Sequence, residues 1–356
     1  MDVILKDKRA PGKSYYGVSR FAVALAFFAL SAAGCASAPA QPGWSTTPQA
    51  PLIWPSPPEP ARISYLRTIS RPEDIGANTG FFKRLADFIL GAKSERIIKP
   101  YGVAVDSAGR LIVADTAFKK VHVFDMVRKK YTVIDEPGRE QFASPIAAAT
   151  DGEDNIYVTD SVAQKVFVFN SNGKFRFSFA AGERPTGIAI NKADGRVYVT
   201  DTASHSVRIY DLVGAEVGSF GRRGKEIGEF NYPVDLALDR GGDLYVVDSL
   251  NFRVQMFDSG GSFLGSFGSQ GDGTGDFGRP KGIAVDRDGN IYVADALFDT
   301  VQIFNRQGEF LLNFGTLGKS AGTFWLPSGV FIDDGNRIYI SDSYNGRVQV
   351  FDYLGS

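Results

Sequence analysis

From Pro100 to the end of the chain, apolar residues fall in short runs separated by clusters of Gly, Asp, Asn and Ser. In the stretch that opens at Pro233 the runs are Val234–Leu238, Leu244–Val247, Val254–Phe257 and Phe263–Phe267. Each has the length of a strand rather than of a helix, and four strands are predicted here. Some runs, such as Ile291-Tyr292-Val293-Ala294, are apolar at every position, which suits strands covered on both faces. Turns such as Asp288-Gly289-Asn290 and Asp194-Gly195 join the first run to the second with residues that accept a tight backbone.

The whole pattern recurs. Pro100, Pro145, Pro185, Pro233, Pro280 and Pro327 open six units, spaced 45, 40, 48, 47 and 47 residues apart. One four-stranded unit cannot bury both faces alone, but a ring of them can. The predicted fold is therefore all-β: a six-bladed β-propeller of four-stranded blades. Phe142, Phe230, Phe277 and Phe324 each stand three residues before an opening proline, and their recurrence predicts packing between blades. The sixth unit stops at Ser356 after its third strand, which would leave an unpaired sheet edge. Arg62 to Ser70 alternates as a strand does and is expected to supply the missing one, so that both chain ends meet in blade six. Between that strand and Pro100, Phe81, Phe82, Leu85, Phe88 and Ile89 fall at helical spacing. They predict a helix insertion over 79–92, docked on the propeller, closing the channel mouth as a lid, or presented to a partner.

Written out, the unit is Pro-x-Gly-(Ile/Val)-Ala-Val-Asp, a turn, (Ile/Leu)-Tyr-Val-x-Asp, about four residues, then Arg-Val-Gln-Val-Phe-Asp and Phe-Leu-x-x-Phe-Gly. Residues 100–356 resemble the NHL repeat, a propeller repeat shared by certain ligases, lyases and bacterial surface proteins. Gly282-Ile283-Ala284-Val285-Asp286 and Arg347-Val348-Gln349-Val350-Phe351-Asp352 carry the resemblance most fully, and the second unit least, since Ala147 replaces its glycine. The resemblance implies the fold; it does not select a function, because the fold hosts many.

The first 60 residues have a different character. A basic stretch ends at Arg20, and an apolar run from Phe21 to Ala33 follows. The run is shorter than the about 20 residues that span a bilayer and has the layout of a signal peptide. It ends in Ser31-Ala32-Ala33-Gly34-Cys35, which resembles a bacterial lipobox. The resemblance implies cleavage before Cys35 and acylation of that residue, the single cysteine of the chain. Ala32 stands where the lipobox has leucine, and the alternative is an ordinary signal peptide with a free thiol. Ala36 after the cysteine implies outer-membrane placement where the cell has that membrane. Eight of the 17 prolines lie in 38–60, a composition that cannot build a core and predicts an extended tether. The expected domains are a lipoprotein signal peptide (1–34), a Pro-rich tether (35–61) and the propeller (62–356).

Charge narrows the partners. Of 39 basic and 40 acidic residues, the first 34 positions hold five and two, so the mature chain carries a net charge of −4. That balance argues against nucleic acid. Two histidines, His122 and His205, are too few for a multi-histidine zinc site. No Gly-x-Ser-x-Gly elbow, phosphate loop or haem-attachment motif occurs. No cofactor is expected, although calcium held by oxygens in the channel stays open.

The second strand of every unit ends in an aspartate: Asp115, Asp160, Asp201, Asp248, Asp295 and Asp342. Six copies read as a turn device, the carboxylate accepting backbone N–H bonds. Lys120, Lys165, Arg253 and Arg347 are expected to pair with these aspartates, or else to form an anion-binding ring. Residues that differ between units make better ligand candidates. Tyr101, Thr186, Lys281 and Ser328 follow the opening prolines. Asp235 replaces the glycine of unit four and is a weak candidate for a metal. Phe118, His205, Asn251, Phe298, Asp299, Tyr344 and Asn345 lie between the second and third strands. Aromatics mixed with amides and acids suit a sugar, peptide or small ligand.

Two functions compete. The first is a monomeric, envelope-anchored binding or scaffold propeller that recognises a protein, glycan or small ligand through one face, using loops 221–231, 268–279 and 315–326. The second is an extracytoplasmic lyase or lactonase-like hydrolase with a metal in the channel. The resemblance implies a histidine-based site for the lyases, and only His205 is near the channel. No catalytic residue is assigned.

Overall fold

A computed structural model describes residues 51–77 and 95–355. The expected signal peptide, Cys35, the tether as far as residue 50 and the expected helix over 79–92 lie outside the described residues.

Six antiparallel sheets form the ring. Blade four shows how the unit is built. Its strands a to d are Pro233–Leu238, Leu244–Asp248, Arg253–Phe257 and Phe263–Phe267, hydrogen-bonded in that order. The four runs read from the sequence are these four strands. Strand a lies innermost in every blade, and each touches strand a of the next blade, the sixth included with the first. Every strand a is irregular just after its opening proline, where its register against strand b shifts. The register shift narrows the channel at one level.

Between blades the core is aromatic. Phe230 lies 5.6 Å from Phe257 of its own blade and 6.2 Å from Phe220 of the preceding one. Phe277 and Phe324 repeat the arrangement against Phe304 and Phe267 and against Phe351 and Phe314. All three rings are fully buried, so the recurrent phenylalanines pack between blades. A glycine makes room for each. Gly221 follows strand d with a φ of +92°, and a Cβ there would lie 2.5 Å from the Phe230 ring.

Blade six closes the ring. Ile63–Ile69 pairs antiparallel with Arg347–Tyr353, Ile63 opposite Tyr353 and Ile69 opposite Val348. This is the closure expected from the alternation in 62–70. The blade also has a fifth strand, Ile53–Trp54, outside the closing one. The Pro-rich segment expected as a free tether to residue 61 is therefore held on the ring from Leu52 onward, where Leu52 O accepts Tyr65 N–H. The reason is Trp54. Its ring packs 5.8 Å from both Phe314 and Phe351, covering aromatic surface that the closing strand leaves open.

The Ile97 N–H donates to Ser70 O at 2.7 Å, pinning the end of the closing strand to the approach to blade one.

Candidate functional site

The faces of the ring follow from the strand directions. The d-to-a and b-to-c loops share one face, and the a-to-b turns lie on the other. The channel between them is lined by strand a.

The aspartate that ends strand b organises the first face. Asp115 accepts backbone N–H bonds from Ile98 and Lys99 before its blade and from Ala117 and Phe118 in the turn after it. Asp160 and Asp295 make equivalent sets. Each carboxylate ties a b-to-c turn to a d-to-a loop, as the turn-device reading expects. Burial alone would raise the Asp201 pKa, but bonds from Ser204, the Arg184 and Glu183 backbone and Arg208 outweigh it and hold the carboxyl below its usual value.

The basic partners divide. Arg253 and Arg347 bind Asp248 and Asp342 at 2.9 and 2.6 Å and also donate to loop carbonyls, Arg347 to those of Lys319, Ser320 and Thr323. Lys165 instead pairs with Glu140, and Lys120 lies over the Phe118 ring. Asp201 takes Arg208, and Asp115 takes the buried His122, whose other nitrogen bonds the Tyr131 hydroxyl. The expected pairing thus holds in blades four and six, while in blade two Lys165 turns to Glu140.

Several candidate residues have their polar atoms engaged inside the protein. Ser328 is buried, donates to Tyr101 O and shares a hydrogen bond with Ser343, joining blade six to blade one. Thr186 is buried between the Thr200 and Thr202 hydroxyls. His205 and Asp299 occupy one position in blades three and five, both at positive φ. His205 Nδ1 accepts Tyr232 N–H at 3.1 Å, and Asp299 Oδ1 accepts Leu326 N–H at 2.6 Å. Each ties its turn to the residue before the next blade's proline. Asn251 and Asn345 donate to Gly224 O and Gly318 O and to their own blade's aspartate. Sequence reasoning read these residues as departures from the repeat. They are joints between blades.

The others face outward or line the channel. Phe118 and Tyr344 are exposed, and Phe298 is half-buried. Tyr344 lies 5.6 Å from the exposed Trp325, with Lys99 Nζ 5.3 Å from its centre. At the channel mouth Lys281 Nζ sits 5.1 Å from the Tyr101 ring centre and 3.4 Å from its hydroxyl. Burial pushes Tyr101 up to about 12, helped by Asp235. Burial pulls Lys281 down to about 8, reinforced by Arg279, Lys99 and Arg184.

Those three cations were missed from the sequence. Each stands immediately before an opening proline, in blades one, three and five. Their fields converge on Tyr101 and Lys281. All three are exposed, and among the described residues the Arg184 and Arg279 guanidiniums have no ion pair or hydrogen bond. A signal existed one residue upstream of the candidates: that position reads Lys, Ser, Arg, Tyr, Arg, Leu around the ring.

Asp235 lies at the narrow level of the channel. The equivalent residues are Gly102, Ala147, Gly187, Gly282 and Gly329. Here the inner strands nearly touch: a Cβ on Gly102 would come within 2.5 Å of Ala147 Cα. The Asp235 carboxyl accepts Ile283 N–H at 3.2 Å, from the next blade, and Leu236 N–H. Burial pushes it up to about 7. Among the described residues no three His, Cys, Asp or Glu side chains gather to hold a metal, and Asp235 is the lone acid along the channel wall. One carboxylate falls well short of the roughly six to eight oxygens calcium takes, so the donor set does not fit that ion.

The profile of the NHL repeat matches residues 183–210, 230–257, 277–304 and 324–351. Protein brain tumor of Drosophila melanogaster is 28% identical over 138 residues, which is 37% of this chain and 13% of that protein. Among solved structures, the gluconolactonase XC5397 of Xanthomonas campestris superposes with a TM-score of 0.55 at 16% identity, over 81% of this chain and 98% of that one. The virginiamycin B lyase of Staphylococcus aureus gives 0.53 at 13% identity, over 72% and 85%. At such identities the two enzymes show a common fold. Sheet order and repeats together make this chain a six-bladed β-propeller carrying NHL repeats.

Proposed function

We propose that the chain is a binding propeller of the cell envelope, anchored through an acylated Cys35, that recognises a protein, glycan or small ligand through its d-to-a and b-to-c face. The observation that carries this reading is the channel rim on that face. Lys99, Arg184 and Arg279 surround the mouth without neutralising partners among the described residues, and Lys99 lies over the exposed Tyr344 ring, itself beside the exposed Trp325. Unpaired cations next to accessible aromatics suit acidic or polyol groups, which bond the guanidiniums and stack on the rings. The polar atoms of Thr186, His205, Asn251, Asp299, Ser328 and Asn345 are spent on bonds within the protein, which favours a rigid recognition surface over a reacting one.

The test is capture from native membranes with the wild-type protein and with R184E/R279E. Both arginines are exposed, so the variant should melt within about 1 °C of wild type. A species recovered by wild type and lost by the variant supports the reading; equal recovery by both defeats it. For the anchor, C35S should abolish fatty-acid labelling and release the protein from the membrane fraction.

The competing reading is a lyase or lactonase-like hydrolase. One observation favours it, the isolated Asp235 carboxyl in the channel of a fold shared with a gluconolactonase and a virginiamycin B lyase. Turnover of lactones or cyclic depsipeptides that D235N removes, with the fold intact, would establish it.

A further inference from the structure

The far side of the channel offers a second site, independent of the rim. Between the narrow level at Asp235 and the a-to-b turns the channel widens into a funnel of about 200 Å³. Val103, Ala148, Ile188, Leu236, Ile283 and Val330, one from each blade, line it. The space is larger than the roughly 150 Å³ that houses a benzene molecule in a protein interior. It opens toward the a-to-b turns past Lys192 and is narrowed at its other end, beyond which lie Tyr101 and Lys281.

Asp235 breaks both the repeat and the chemistry of this wall. Its position holds glycine in four blades and alanine in one. A carboxyl deep in an apolar channel is unfavourable unless its acceptors are filled. The strand-b aspartates meet that requirement: Asp115 has four backbone donors and His122. Asp235 has two backbone donors, Ile283 N–H and Leu236 N–H. An ionised carboxylate has about four acceptor sites, so roughly half remain open. The carboxyl is not needed to close the channel, because small residues do so in the other five blades. An under-satisfied acceptor at the floor of an apolar funnel has the composition of a small-molecule pocket: apolar walls and one orienting polar group.

We infer that this funnel binds a molecule about the size of one six-membered ring, apolar in its body and carrying a hydroxyl or amine that donates a hydrogen bond to Asp235. The body displaces water from the wall, and the head fills the open acceptor. An anionic head is rejected by the carboxylate, and a ring without a donor leaves the acceptor unfilled.

Four probes of nearly equal size test the inference on the folded protein at pH 8.5, where Asp235 has given up the proton that burial holds to about pH 7: benzyl alcohol, benzylamine, benzoate and anisole, the last an isomer of benzyl alcohol that lacks the donor. Binding is read by chemical-shift titration and by electron density in soaked crystals. Benzyl alcohol or benzylamine should bind at least fivefold more tightly than anisole, with density in the funnel and its head on Asp235; comparing the two separates a hydroxyl from an ammonium preference. Benzoate should bind weakest. D235A, which copies Ala147 of blade two, should remove the preference for the donor while leaving anisole binding within about twofold. D235G, which copies the other four blades, serves the same purpose should D235A fold poorly. Anisole binding as tightly as both benzyl alcohol and benzylamine, a preference that survives both variants, or ordered water alone in the soaked funnel would each overturn the inference. None of these outcomes depends on R184E/R279E, so this site and the rim reading fail or stand separately.

Discussion

Seven aspartates of this chain sit at repeated positions of strands a and b, and their surroundings divide them. The six that end strand b are surrounded by donors; Asp342 accepts Trp325 N–H, Asn345 Nδ2, Arg347 Nε and Gln349 Nε2 between 2.6 and 3.2 Å. Removing it takes the counter-charge from the largely covered Arg347 and frees a loop end. Asp342→Ala should cost about 3–5 kcal/mol in urea unfolding, the range for breaking a buried ion pair by deleting one partner. The seventh, Asp235, has the opposite balance. Its pKa is raised from 3.8 to about 7, so the folded state holds a proton that the unfolded state has released between those values. Stability is therefore lost as pH rises through roughly 4 to 7. Asp235→Asn should be no more stable than wild type at pH 4 and progressively more stable toward pH 7.5, by up to about 2–4 kcal/mol, with no further gain above. Tyr101 and Lys281, the titratable groups nearest the carboxyl, change charge above this window. Urea titrations at pH 4, 5.5 and 7.5 give the comparison, and a difference that shrinks with pH would contradict the burial of this acid.

At the scale of elements, the Phe-Gly that ends strand d of blades three, four and five and the following Phe230, Phe277 and Phe324 make one joint, ring over glycine. Blade six has no strand d of its own sequence, and its joint is completed from the other chain end. Tyr65 lies 5.7 Å from Phe351, and Trp54 covers Phe351 and Phe314 from outside. Trp54 is half-buried, so its truncation loses part of what a core aromatic loses. Trp54→Ala should destabilise by about 2–3 kcal/mol. It should also raise the protease sensitivity of residues 51–61, which the tryptophan holds on the ring. Cleavage in that segment at the wild-type rate would mean that Trp54 does not hold it. The pairing of Ile63–Ile69 was legible because strand alternation and a missing partner are both local facts. Trp54 was not legible, because proline-rich composition says only that a segment builds no core of its own; it does not say that another element offers it one.

Across the whole molecule, stability is that of a closed ring. Each strand a contacts both neighbours, so opening blade six exposes the inner faces of blades one and five as well. Deleting residues 62–70 should lower the melting temperature by more than about 10 °C or abolish cooperative melting, rather than remove one blade and leave five intact. Calorimetry would show it; an unchanged transition would mean that the last three strands suffice to close the ring.

The blade count, the four strands of the repeating unit and the closing strand were written in the chain itself, because each rests on periodicity within some fifty residues and on the need of a sheet edge for a partner. The chemistry of the faces was not. Whether a loop residue is free or engaged depends on contacts between distant parts of the chain. His205 meets a backbone N–H 27 positions away, and Tyr101 meets Lys281 across 180. The same holds for the cations at the rim, which come together only because three blades bring one equivalent position to one mouth. It holds for the funnel, whose volume is set by how closely six inner strands approach. Local pattern specifies a blade; only closing the ring brings residues from all six to a common axis, and that convergence makes a site.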